Sequence, residues 1–167
     1  MVARLPRTVG DGQRSAITLH HAADLDPENL RKALPVVHCT RCGTAAHLGR
    51  LPPSGGSLGA DLRTLYDEFF DGRSGRLRLI YHEPVSRKSG TTGRSEVRTG
   101  FLDADTLDFK DGDIEESLPA GPHAPVWLYT PSDGQGRIDR TCPACGHAHG
   151  LLLFGLRAAR LTAALTN

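Results

Sequence analysis

Apolar positions along the chain change period several times, and each change marks an element. Leu77 to Tyr81 alternates at a period of two and predicts a strand, Ala16 to His20 alternates toward a short one, and Val36-Val37-His38 leads as a strand into Cys39, with Leu48 to Leu51 leading out of the turn that follows. Leu58, Leu62, Leu65 and Phe69 recur at helical spacing, with Tyr66 and Phe70 widening the stripe, so Leu58 to Phe70 is expected to be a core helix packed on a sheet. A shorter helix should begin at Asp26, whose side chain can cap the free N–H groups ahead of Pro27, and Pro35 should end that run. Val97 to Leu102 and Thr106 to Phe109 predict a hairpin turning at Asp103-Ala104-Asp105. Val126 to Tyr129 and Leu151 to Phe154 are short apolar runs of strand type. Leu156 to Leu165 is amphipathic at helical period and ends without a cap, as in a domain cut from a longer chain.

Between these elements lie connectors rich in Pro, Gly and Ser: residues 52–59, 84–93 and 115–125. Met1 to Ser15 is polar and punctuated by Pro and Gly, and it is read as an arm. The 167 residues hold one Trp, three Tyr and five Phe, enough for one domain with a modest core. No apolar run approaches the roughly 20 residues of a membrane span, and no apolar leader follows Met1, so a cytoplasmic protein is expected, with no membrane partner.

The four cysteines form two pairs, Cys39-Thr40-Arg41-Cys42-Gly43 and Cys142-Pro143-Ala144-Cys145-Gly146. A CxxCG segment can turn both sulfurs to one side, and the glycine permits the left-handed backbone such a knuckle needs. Two knuckles supply four thiolates in a tetrahedron, the closed coordination of structural zinc, with Zn–S bonds of roughly 2.3 Å. A redox motif would need a single CxxC opening a helix, disulfides would need an oxidising compartment, and an iron–sulfur cluster would imply electron transfer for which no other signal is present. His38, His47, His147 and His149 lie near the pairs and could substitute for a cysteine, but four thiolates already close the shell. Zn²⁺ is therefore the expected cofactor, held by Cys39, Cys42, Cys142 and Cys145.

The expected fold is α+β: a four-cysteine zinc ribbon with knuckles at 36–51 and 137–154, a long β-rich insertion at 58–130 carrying one core helix, and a C-terminal helix. An arm at 1–15 would precede a single domain at 16–165. Between Cys42 and Cys142 lie 99 residues. Closing such a loop costs only the logarithm of its length, and the insertion is expected to fold on its own with the metal closing its base.

Net charge is only +1, but the charges are segregated. Arg73 to Arg98 carries a local +5, and Asp103 to Glu116 a local −6. Both can be solvated faces; the basic stretch can also meet a phosphate backbone, and Arg87, Lys88 and Arg94 are the candidate contacts. There is no phosphate-binding GxxxxGK[ST], no GxGxxG after a strand, no GxSxG and no HExxH, so catalysis by this chain and a small-molecule substrate are not expected.

The segments LRKALPVVHCTRCG, GADLRTLYDEFF and RTCPACG running into LLLFGLRAARLTAAL resemble the zinc-binding insertion of large bacterial superfamily 2 DEAD/DEAH-box helicases, some of them associated with phage defence. The resemblance spans about residues 16 to 165, and its ligand positions match Cys39, Cys42, Cys142 and Cys145. It implies a non-catalytic accessory domain that braces motor lobes or guides DNA, with the ATP-binding motifs elsewhere in the parent polypeptide. The alternative is a zinc-ribbon interaction module that docks a partner through the acidic segment or the terminal helix. A thiol or metal enzyme ranks behind both.

Overall fold

The computed structural model describes residues 1–5, 18–52, 55–72, 75–85, 97–114 and 122–154. The described chain is a mostly antiparallel sheet with few helices. In order come β1 (Val2–Arg4), β2 (Leu19–His20), a 3-10 turn (Ala22–Asp24), α1 (Pro27–Arg31), β3 (Ala33–Cys39), β4 (Ala45–Arg50), β5 (Gly56–Ser57), α2 (Leu62–Asp71), β6 (Leu77–Tyr81), β7 (Val97–Asp103), β8 (Asp108–Asp111), β9 (His123–Tyr129) and β10 (Leu151–Leu153).

Both helices start where the sequence provides a cap. Asp26 Oδ1 accepts from Asn29 N at 2.9 Å with Pro27 in the first turn, and Asp61 Oδ1 accepts from Thr64 N at 2.8 Å. Each bond satisfies a donor that has no partner within its helix. Helix α2 stops at Gly72, which takes φ 70.

The strands run β2-β1-β3-β4-β6-β9-β7-β8-β5, with β10 also on β3. Strand β3 has β4 on one side and, on the other, β1 and β10 in series: Val2 pairs with Pro35, while Leu153 pairs with Val37. At the far end β5 pairs with β8, and the chain two residues later returns to β4, where Arg50 and Gly59 exchange backbone hydrogen bonds of 3.2 and 2.7 Å. The pairings therefore form a closed circuit through β4, β6, β9, β7, β8 and the 56–59 segment.

Side chains alternate across a sheet, so the register assigns each residue to a face. Ile80, Leu128, Val126, Gly100, Leu102 and Phe109 share the face inside the circuit. Cys39, Val37, Ala46, Leu48, Leu79 and Leu77 share the other. Helix α2 covers that second face: Arg50, aligned with Leu48, bonds Glu68 of α2 at 2.8 Å. Leu65 and Phe69 of the helix are buried there with the sheet leucines. Each fully buried leucine or phenylalanine stabilises the fold by about 1.5–3 kcal/mol.

Several expectations are corrected. The segment expected as an arm begins with β1, because Val2 and Ala3 are fully buried and find backbone partners on β3; residues 6–17 lie outside the described ones. Helix α2 begins at Leu62, not Leu58, since Leu58 N donates to Leu107 O and its side chain fills the circuit near Gly49. The first helix ends at Arg31, and β3 runs through Pro35. The insertion is not a separate body, because β4 pairs directly with β6 and one sheet unites the knuckle strands with the 58–130 segment. The expected C-terminal helix lies outside the described residues.

Candidate metal centre

The two knuckles are built alike. Gly43 N donates to Cys39 O at 3.0 Å and Gly146 N to Cys142 O at 2.8 Å, with the glycines at φ 75 and φ 71. Such positive φ is inexpensive only for glycine, which is the conformational role the spacing predicts. Arg41 N points at Cys39 Sγ at 3.4 Å. The strands then bring the knuckles together: β10 leaves the second and pairs with β3, which leads into the first, with Leu151 opposite Cys39. Arg140, just before the second knuckle, donates to Phe69 O at 2.8 Å and lies over the Phe69 ring, anchoring this segment to the end of α2.

All four Sγ atoms lie within 4.8 Å of one another. Cys39 Sγ is 3.7 Å from Cys145 Sγ, and Cys42 Sγ is 3.7 Å from Cys142 Sγ. A tetrahedron with bonds of about 2.3 Å has edges of about 3.8 Å, whereas a disulfide needs about 2.05 Å. The cluster therefore fits a four-thiolate metal ion, and the residues present can hold one. Cys39 and Cys142 are buried, Cys145 is intermediate and Cys42 is exposed.

Thiol acidities divide accordingly. The Thr44 hydroxyl, 3.2 Å from Cys42 Sγ, and the Thr44 backbone lower the Cys42 pKa to about 6. Burial pushes Cys142 up to about 12. Thr44 was not among the residues the sequence singled out, although a hydroxyl two positions after the second cysteine was there to be read.

The neighbouring histidines do not join the cluster. His38 and His47 point to the sheet face opposite Cys39; His38 packs edge-on against Phe154 and His47 Nδ1 lies 3.0 Å from His82 Nε2. The carbonyl of His147 accepts from Cys142 N at 3.0 Å, and His149 lines a cleft with Arg137 and Arg140. Arg87, Lys88 and Arg94 fall outside the described residues. No helix among the described residues is long and apolar enough to cross a membrane.

The fold and site define a sheet-rich α+β protein with a four-cysteine cluster that could hold a metal ion. Comparison with protein-family models, with curated proteins and with solved structures gave no match.

Proposed function

We propose that the chain is a structural zinc-binding domain of ribbon type, acting as a non-catalytic accessory module of a helicase-like ATPase. The observation that carries the zinc reading is the 3.7 Å spacing of the paired sulfurs, close to the edge of a zinc tetrathiolate. Bound there, the ion supplies no open coordination position and no activated water; its role is to join segments 99 residues apart. Cys39 and Cys42 hold it from the β3–β4 turn, and Cys142 and Cys145 from the segment before β10.

The helicase assignment rests on the sequence resemblance around the two knuckles, and the DNA-guiding role on the basic residues Arg87, Lys88 and Arg94. Two measurements test the proposal. Mass spectrometry of the native protein should find one zinc per chain, lost on substituting any ligand cysteine by serine. Binding to DNA should weaken steeply with salt, and the triple alanine variant at Arg87, Lys88 and Arg94 should bind more weakly and with a shallower salt slope. Equal binding by that variant removes the loop from the nucleic-acid reading without touching the metal.

A further inference from the structure

Where α2 ends, the chain meets the segment that leads into the second knuckle, and a cleft of about 470 Å³ opens between them. It is lined by Asp71, Gly72, Arg137, Ile138, Arg140 and His149. A backbone bond of 3.0 Å from Ile138 N to Gly72 O ties its two walls together. None of these side chains belongs to the metal centre.

The two arginines are held differently. Arg140 is partly buried and fixed: its Nη2 donates to Phe69 O at 2.8 Å, and its guanidinium carbon lies 4.7 Å from the centre of the Phe69 ring. A guanidinium carries five N–H donors in a rigid fork, so one bond to a carbonyl leaves others for a ligand, from a position already set. Little side-chain entropy is then lost on binding. Arg137 is exposed, and its described hydrogen bonds run through the backbone, from its N to Asp133 Oδ1 at 3.1 Å and from Asp133 N to its O at 3.0 Å. Its guanidinium therefore stands on a pinned turn at the rim of the cleft.

The same corner exposes an aromatic ring. Phe70 is 47% exposed, and its ring centre lies 5.9 Å from the Arg140 guanidinium carbon. It stands edge-on to the buried Phe69, with ring centres 5.7 Å apart, so the core sets its position while its outer part meets water. Arginines beside an exposed ring suit a nucleotide, with phosphate on the guanidinium forks and a base face on the ring. Asp71 narrows the choice: a bare phosphate would meet its carboxylate with nothing to offer, whereas a nucleotide can also give it an N–H or O–H of base or sugar. A duplex keeps its base faces stacked, and only a strand with unpaired bases can present one to Phe70. We infer that this cleft is a contact site for single-stranded nucleic acid, with Arg137 and Arg140 on a backbone phosphate and Phe70 under a base. The site rests on the DNA-guiding reading and adds to it a contact separate in sequence from Arg87, Lys88 and Arg94.

Fluorescence anisotropy of the zinc-loaded protein with a labelled oligothymidylate of about 12 nucleotides tests the contact. The strand should bind more tightly than a duplex of the same length. Phe70→Leu, which keeps an apolar side chain but no ring, should weaken the strand about tenfold, while Phe70→Tyr keeps wild-type binding. Arg137→Ala should weaken binding and reduce the slope of log K against log salt by about 0.7, the change for one phosphate on a single strand. Because its side chain is exposed, that variant should retain wild-type zinc content and unfolding midpoint. Unchanged affinity in Phe70→Leu, an unchanged salt slope in Arg137→Ala, tighter binding of the duplex, or full displacement of the strand at constant ionic strength by inorganic phosphate or a phosphoserine peptide overturns the site. Strand binding abolished by the triple alanine variant at Arg87, Lys88 and Arg94 but indifferent to Phe70 and Arg137 overturns the cleft and leaves the DNA-guiding reading standing. Binding of neither strand nor duplex overturns both.

Discussion

His47 should make the protein acid-sensitive in a defined window. It is fully buried on β4, and desolvation lowers its pKa from 6.5 to about 4, against a smaller upward effect from the Arg4 backbone. A histidine whose folded pKa is depressed stabilises the fold fully above its unfolded value, and this stability is lost as pH falls through that value toward the folded one. The unfolded chain therefore binds the extra proton between pH 6.5 and about 4. At 1.36 kcal/mol per pKa unit, the loss is about 2 kcal/mol at pH 5 and about 3 kcal/mol once both states are protonated. His47→Asn keeps an acceptor near the place of Nδ1, which lies 3.0 Å from His82, and removes the titration. Urea unfolding of both proteins at pH 7 and pH 5 is the assay, and protonation of the cysteine cluster is common to the pair. The wild type should lose about 2 kcal/mol more than the variant over that interval. Equal losses would refute the reasoning, because they would mean that burial of His47 carries no proton linkage.

Gly100→Ala should cost about 3 kcal/mol in a urea titration, because an added Cβ would lie 2.2 Å from Lys110 O and 2.9 Å from Phe109 Cε2, forcing β7 and β8 apart. Gly112→Ala, facing only the Phe101 ring at 3.3 Å, should cost less than about 1 kcal/mol, and similar costs for the two would remove the steric argument. In metal-free protein at pH 7, iodoacetamide should modify Cys42 first, since it is exposed and above its pKa of about 6, and Cys142 last, since it is buried and far below about 12. Peptide mapping reads the order, and zinc should slow all four; rapid labelling of Cys142 would contradict the burial that separates them.

Where local chemistry decided the outcome, the sequence could be read directly. Asp26 and Asp61 cap helices because a side-chain oxygen within three residues suffices, and Gly43 and Gly146 take positive φ because the turn allows little else. The alternation of Leu77 to Tyr81 matched its strand to the residue. The proximity of the cysteine pairs was also legible, since four thiols in two knuckles share a chemical use. Non-local pairing was not. Val2 and Ala3 look like part of a polar arm until β3 is there to accept their backbone, and nothing within the first five residues encodes a partner some thirty positions away. Leu58 fits the helical stripe by spacing, yet its N–H is taken by Leu107 O on the far side of the circuit. That Tyr81, Trp127 and Tyr129 share one face depends on register between β6, β9 and β7, which periodicity in one strand cannot supply.

The return of the 56–59 segment to Arg50 bears on self-association. An open sheet presents a row of free backbone donors and acceptors at each border, and other chains can add there. In this protein one border is sealed by the two hydrogen bonds between Arg50 and Gly59, with Arg50 held in turn by Glu68. At the opposite border β2 is the last strand in the order, whereas the Leu151 N–H of β10 is already taken by Arg140 O at 3.0 Å. Loosening that bridge would free the backbone groups of Arg50 and Gly59 for another strand, so the contact blocks one route of edge-to-edge addition.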